Sequence, residues 1–164
     1  AVQRRKALLE VARAVYLDPA FDPADGAETI LAGIAERAAE ARAREEEQVA
    51  VLELPTREAE QRVRRAQRGA ERDELLAVVE ELEWWYRDLV VLAVGAEAAV
   101  VHVDRLADLR ADATLDRLHA AERACEIVRE AWRQAEELQV SVPLALEALL
   151  IRLRTELGGT LSRV

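Results

Sequence analysis

The single thiol of the chain, Cys125, is its first candidate nucleophile. On a helix its neighbours would include the apolar residues Ala121 and Val128. An activated thiol needs a nearby base or cation, so these neighbours predict an inert core thiol. A single cysteine also excludes an internal disulfide framework and any multi-cysteine zinc site.

The two histidines, His102 and His119, are the next candidates for chemistry. His119 has Asp116 and Glu122 as helical neighbours, and His102 is followed by Asp104. Neither histidine belongs to the Glu-x-x-His pair that a di-iron helical bundle uses. We therefore expect both to be surface or partly buried side chains rather than metal ligands.

Sequence loops that cradle phosphate are missing. The 6 glycines form neither a Gly-x-x-x-x-Gly-Lys-Ser/Thr sequence nor a Gly-x-Gly-x-x-Gly sequence. Carboxylates occur in runs such as 45–47, which are typical of solvated helix surfaces rather than of acid–base catalysis. We predict no catalytic residue, no cofactor and no metal site, and we do not expect the chain by itself to be an enzyme.

Six arginines between positions 57 and 72 make up the basic cluster of the sequence. They could meet a phosphate backbone or an acidic partner surface. The sequence favours a third interpretation, a solvated helix in which Glu58, Glu60 and Glu71 pair with arginines at helical spacing. The cluster consists of Arg57, Arg62, Arg64, Arg65, Arg68 and Arg72.

Trp84, Trp85 and Tyr86 are consecutive aromatic residues inside an apolar stripe of helical period. Such a trio could stack on a base. Within a helical stripe, however, aromatic residues are more typical of a domain core or a subunit interface. We predict that these three residues pack in one of those two places.

Length and composition set the class of protein. The 164 residues suffice for one domain, 51% are hydrophobic, and only 6 Gly and 4 Pro interrupt them. This composition excludes a disordered chain and disfavours all-β and Rossmann-type folds. A net charge of −9 argues against direct nucleic-acid binding.

The longest apolar stretch, 89–101, is too short to span a membrane, and no secretory signal is visible, which predicts a cytoplasmic protein. The lack of methionine predicts a fragment of a longer chain.

Apolar residues at spacings of three and four predict an all-α domain of six or seven helices. The strongest prediction is a helix from Leu75 to Ala93 with one continuous apolar stripe and a stop at Gly95. A second helix is expected from Ala27. Helices over 115–138 and 142–154 should complete the core, with Trp132 buried in it.

The domain organisation follows from how charge is distributed. Residues 1–157 are predicted to form the helical domain, and 158–164 a flexible tail. Residues 36–74 are strongly charged and carry few large apolar side chains. Their helices should therefore project from the body or lie on it loosely, with a kink at Gly69. Residues 75–157 should supply most of the core.

The final helix carries two apolar stripes. The first stripe, predicted to face the core, consists of Leu146, Leu149 and Leu153. A helix that is apolar on a second face must be buried at the centre or must have a partner there. We take the second stripe as the candidate subunit interface, which consists of Leu144, Ala148 and Ile151.

Several segments resemble the carboxy-terminal domain of bacterial clamp-loader subunits, above all the delta prime family of DNA polymerase III. Residues 85–90, Trp-Tyr-Arg-Asp-Leu-Val, with the stop at Gly95, are similar to the family's aromatic–Arg-Asp-Leu-Leu helix. Residues 102–104 stand where the family has Asn-x-Asp. Residues 144–150, Leu-Ala-Leu-Glu-Ala-Leu-Leu, are similar to its terminal helix, and residues 4–9 to its entry into the domain.

The chain also departs from the family pattern at two places. His102 replaces the asparagine of Asn-x-Asp, and residues 139–142 replace Asn-Val-Asn-Pro, with Pro143 one place later. The last helix can still begin there, because Ser141 is able to cap it and Pro143 suits a first turn.

The resemblance implies a helical collar domain. In the family, five subunits form a ring through these domains, and AAA+ modules use ATP to load the sliding clamp on primed DNA. The implied partners are the delta and gamma/tau subunits of the DNA polymerase III holoenzyme. The ATPase module, its zinc-binding cysteines and its arginine finger would precede Ala1, so none is assigned to this chain.

Two other interpretations remain open. A gamma/tau collar has a similar final helix and would serve the same function. Alternatively, the chain is an unrelated helical adaptor, or a coiled-coil dimer paired through residues 36–74, although this segment lacks a sustained apolar seam. A small helical enzyme is disfavoured because no catalytic constellation is present in the sequence.

Overall fold

A computed structural model describes residues 1–138 and 140–161, which form six α-helices and no strand. The all-α prediction is therefore confirmed, at the lower of the two expected helix counts. Three short 3-10 turns accompany the helices, at Glu97–Ala99, Val103–Arg105 and Gly158–Thr160. The helices are α1 (Val2–Leu17), α2 (Pro23–Leu52), α3 (Thr56–Ala93), α4 (Leu106–Asp112), α5 (Leu115–Leu138) and α6 (Val142–Leu157).

Local side-chain chemistry sets several helix ends. The second helix begins at Pro23 rather than at the predicted Ala27, because Asp22 caps it: its carboxylate accepts the N–H of Ala24 at 2.9 Å. The predicted stop after α3 is confirmed. Gly95 has a φ of +82°, a backbone conformation that only glycine adopts without cost.

Helix α3 is one continuous helix of 38 residues, about 57 Å long at 1.5 Å per residue. Gly69, where a kink is predicted, lies inside the uninterrupted helix. Nothing lies within 4 Å of where a Cβ atom would stand at this glycine, so no packing contact disturbs the helix there. The change from charged to apolar sequence near residue 74 marks a change in what packs against α3.

The core lies where α5 packs against α3 and against α6, and where α1 and the first half of α2 cover these helices. The stripe predicted on residues 75–93 faces this core, as do the core-facing leucines predicted on α6. Fully buried side chains from four helices meet there, among them Tyr16, Leu82, Trp85, Tyr86, Leu89, Val128, Leu150 and Leu153.

The aromatic predictions have different outcomes. Trp85 and Tyr86 are fully buried, which confirms core packing for them, whereas Trp84 points away from the core and is 42% exposed, so for Trp84 the subunit-interface alternative stays a prediction. The predicted burial of Trp132 needs correction. Trp132 is only half-buried, because it lies at the wall of a surface groove beside Leu31 and other side chains of α2, α3 and α6. Its apolar spacing on α5 is correct, but α5 extends beyond the part of the core that could enclose it.

The charged segment 36–74 forms an antiparallel hairpin from the second half of α2 and the first half of α3. Small apolar residues close its seam, with Ala38, Val49 and Ala70 buried. Arg62 and Glu45 pair across the hairpin at 2.8 Å. The face that a coiled-coil dimer would need is therefore used within the chain.

Two segments near the end of the chain have sequence predictions: residues 139–143 are expected to begin the last helix, and residues 158–164 to form a tail. Ser141 precedes α6, but its side chain makes no capping hydrogen bond, while Pro143 lies in the first turn as expected. Gln139 and residues 162–164 lie outside the described residues. Of the predicted tail, 158–160 form a 3-10 turn, and Thr160 accepts hydrogen bonds from the buried Arg117.

Two glycine substitutions test the continuity of α3 and its end. Gly69→Ala should stabilise the protein by about 0.5–1 kcal/mol, because alanine is the better residue in an open helix interior. Gly95→Ala should destabilise it by about 1–2 kcal/mol, because a Cβ atom disfavours positive φ. Urea denaturation curves with equal slopes would give both free energies of unfolding. A destabilising Gly69→Ala would contradict a regular helix at that position.

Candidate functional site

Two buried polar clusters connect the helices, and the first surrounds His102. This histidine is fully buried, so the expectation of a surface or partly buried side chain is wrong. Its Nδ1 atom lies 2.7 Å from Asp88 Oδ2, and its Nε2 atom lies 2.9 Å from Glu81 Oε1. Both carboxylates come from α3, 14 and 21 residues away in sequence. No local spacing rule could have identified them.

Asp88 binds the connection between α3 and α4 through backbone N–H groups as well as through the histidine ring. Its carboxylate also accepts the backbone N–H groups of Val101 at 3.0 Å and of His102 at 2.9 Å. Arg5 of α1 extends the cluster by donating to Glu81 at 2.6 Å and to Asp104 at 2.6 Å. The cluster therefore joins α1, α3 and the 3-10 turn at 103–105.

The charges in this cluster change the proton affinities of its members. Burial by itself would lower the pKa of His102, but its hydrogen bonds to Glu81 and Asp88 outweigh burial and raise that pKa above its ordinary value. The hydrogen bond from His102 lowers the pKa of Glu81, and Arg5 lowers it further. Both shifts favour the charged forms.

The second cluster surrounds Asp112 at the end of α4. Arg13 binds this buried carboxylate with two hydrogen bonds, at 2.7 and 3.0 Å. Tyr16 donates its hydroxyl to Asp112 at 2.6 Å and accepts the indole N–H of Trp85 at 3.0 Å. Burial, together with the nearby Asp112 charge, raises the pKa of Tyr16, so the hydroxyl stays protonated and can donate.

Arg117 of α5 completes the second cluster from the other side. Its guanidinium carbon lies 4.4 Å from the centre of the Tyr16 ring, and it donates to the carbonyl of Asp112. It also donates to Thr160 Oγ1 at 3.0 Å. The ends of α4 and α6 are thereby fixed to α1 and α5.

The carboxylates Asp88 and Asp112 and the His102 ring, at the centres of these clusters, are closed to solvent, which favours a structural role. His102 and Asp88 are fully buried, and Asp112 is only 3% exposed. Among residues 1–138 and 140–161, no three His, Cys, Asp or Glu side chains are arranged to hold a metal ion. None of the described helices combines the length and apolar character needed to cross a membrane.

Cys125 is buried on α5, as its apolar neighbours predicted. Burial raises the pKa of the thiol to about 11, so it is almost entirely protonated at neutral pH. Since the thiolate is the nucleophile, the side chain behaves as a small apolar residue with a weak donor directed at the carbonyl of Glu83, 3.8 Å away.

The second stripe of α6 is the clearest candidate surface. Leu144 is 64% exposed and Ile151 is 48% exposed, with the exposed Ala148 between them. The three residues occupy one side of the helix over about 10 Å, opposite the leucines that enter the core. The structure brings the predicted interface residues together on the surface, and their role as an interface stays a prediction.

The arginine cluster lies on the hairpin and is largely exposed. Of its predicted partners at helical spacing, Glu60 pairs with Arg64 at 3.9 Å. Two arginines of the cluster make closer pairs with other helices, Arg62 with Glu45 at 2.8 Å and Arg72 with Glu136 at 3.5 Å. Exposed pairs of this kind contribute little to stability.

Comparison with protein-family models, curated proteins and solved structures finds no match for this chain. The similarity to clamp-loader domains therefore rests on the residues quoted above.

Paired tyrosine substitutions test the second cluster. Tyr16→Phe removes an acceptor from Trp85 and a donor from the buried Asp112, and should destabilise the protein by about 2–4 kcal/mol. Tyr86→Phe is the matched control. This fully buried tyrosine makes one neutral hydrogen bond, to the carbonyl of Ala12 at 3.0 Å, and its loss should cost about 1 kcal/mol.

Chemical denaturation measures both free energies of unfolding. Equal losses for the two variants would show that the contacts of Tyr16 with Trp85 and Asp112 add nothing beyond one ordinary hydrogen bond.

Proposed function

We propose that the chain is a non-catalytic oligomerisation domain of a clamp-loader subunit, of the collar type and most like that of delta prime. The observation that carries this proposal is the pair of opposed apolar stripes on α6. One stripe completes the core, while the other presents Leu144, Ala148 and Ile151 to solvent. Burial of such a surface in an interface is favourable by about 25 cal/mol per Å².

The positions of the resembling segments support the proposal. Asp88, in the motif at 85–90, accepts hydrogen bonds from the backbone at 101–102, where the Asn-x-Asp-like motif begins. The Leu-Ala-Leu-Glu-Ala-Leu-Leu segment at 144–150 lies in α6 and supplies both stripes. Three separate sequence similarities thus belong to one packed unit and to the proposed interface.

In this role the domain does no chemistry. Its partners would be the equivalent domains of the delta and gamma/tau subunits, and ATP hydrolysis would belong to modules outside this chain. The whole complex would load the sliding clamp in the cytoplasm during DNA replication. A gamma/tau collar would use the same surface, so it is the second candidate within the same function.

Charged substitutions on α6 separate an interface from a core. Ile151→Asp should leave the helical circular dichroism spectrum unchanged and weaken assembly with the delta and gamma/tau subunits at least tenfold, because an unpaired charge would be buried in the interface. Val51→Asp, on the hairpin at an 82% exposed position, is the control and should assemble normally. Leu149→Asp should unfold the domain.

Size-exclusion chromatography of the mixed subunits gives the readout. Normal assembly by Ile151→Asp would show that the stripe is not the interface. Unfolding by Ile151→Asp would show that it belongs to the core. If the unsubstituted chain binds no clamp-loader subunit, the collar proposal itself fails.

A further inference from the structure

Both ring nitrogens of His102 face carboxylate oxygens, and this geometry favours the doubly protonated ring. Asp88 lies at 2.7 Å from Nδ1 and Glu81 at 2.9 Å from Nε2. Ionised carboxylates only accept hydrogen bonds, and a neutral imidazole has one N–H to donate. Both contacts are therefore hydrogen bonds only when the ring is an imidazolium.

The surrounding charges agree with this assignment. Three carboxylates belong to the cluster, and two guanidiniums approach them: Arg5 lies 2.6 Å from Glu81, and Arg87 lies 3.7 Å from Asp88. Adding the imidazolium gives three positive and three negative charges. The rings of Trp85 and His102 form a T-shaped pair with their centres 5.3 Å apart, and His102 is fully buried. The charged groups facing the ring from α1, α3 and the 3-10 turn are Arg5, Glu81, Arg87, Asp88 and Asp104.

The two contacts of the ring are not equally durable. Asp88 is fully buried and also accepts hydrogen bonds from the backbone N–H groups of Val101 and His102. The N–H that remains on a neutral ring should therefore stay hydrogen-bonded to Asp88. The Glu81 side chain is 17% exposed and has Arg5 as an alternative partner. When the ring loses one proton, the bond to Glu81 is the one that breaks.

We propose that His102 is a pH-operated latch. As an imidazolium it binds the connection at 96–105 to α3 and the start of α1, and after it loses a proton this connection is held less tightly. The pKa of His102 is raised in the folded protein. The latch is therefore fully closed below about pH 6.5, the value for a free histidine, and opens as the pH rises through the raised value. The resembled domains have asparagine here, which does not titrate.

The latch can be tested on the unsubstituted chain by nitrogen-15 NMR. Below pH 6.5, both ring nitrogens of His102 should carry protons, and a neutral tautomer should replace this form at higher pH. Loss of the Glu81 contact removes one of the two side-chain contacts between His102 and α3, so local opening of the connection becomes easier although the Asp88 bonds persist in the closed form. The hydrogen-exchange protection factors of the Val101 and His102 amides, which already correct for base catalysis, should therefore fall at least tenfold between pH 6 and pH 9. Amides in the middle of α3 provide the internal reference.

Two variants isolate the histidine. His102→Asn should remove the pH dependence of the Val101 amide, whereas His119→Gln should retain it. His119 is the matched control because it is the only other histidine and its side chain is 86% exposed. The proposal is overturned if the His102 ring is neutral at pH 6, if protection is constant with pH, or if His102→Asn shows the same decline. The ring measurement on the unsubstituted chain decides the matter should His102→Asn fail to fold.

Discussion

The fold depends on a carboxylate that has no access to water. Asp88 is fully buried, and an unpaired charge in that position would cost several kcal/mol. Its partners are the ring of His102 and two backbone amides of the following connection. Because these donors must reach one point on α3, the chain after Gly95 has a fixed path, and that path determines where α4 begins.

Because α4 begins at that point, its last residue, Asp112, lies beside a second set of hydrogen-bond donors. Arg13 and Tyr16 approach this carboxylate from α1, and Arg117 approaches the adjoining backbone from α5. Trp85 then connects the two clusters, since its indole N–H binds Tyr16 and its ring forms a T-shaped pair with His102. The apolar core and the buried charges thus share one side chain, and substitutions in either are expected to affect both.

The periodicity of the sequence predicts which helix faces the apolar residues occupy, and it says little about the partners of the polar residues. The stripes on residues 75–93 and on α6 could be read from the sequence because each lies on one helix. Trp132 has the same spacing, yet its burial depends on how far the neighbouring helices extend. The spacing of apolar residues on one helix gives no information about the length of its neighbours. The burial of His102 cannot be predicted from local sequence for a related reason: its partners lie 14 and 21 residues away, and their approach follows only from the folded chain. The hairpin seam is hard to recognise in the sequence because small side chains, Ala38, Val49 and Ala70, close it in place of large apolar ones.

The unbroken α3 also has a mechanical consequence. One end of this helix is clamped in the core by Trp85, Tyr86 and Leu89, while the other end carries the hairpin tip near Pro55. The part of α3 outside the core, residues 56–74, is about 29 Å long at 1.5 Å per residue, so a tilt of about 10° at the core moves the tip by roughly 5 Å. The helix is therefore a lever that converts small changes of orientation at the core into displacements of several ångströms at the tip.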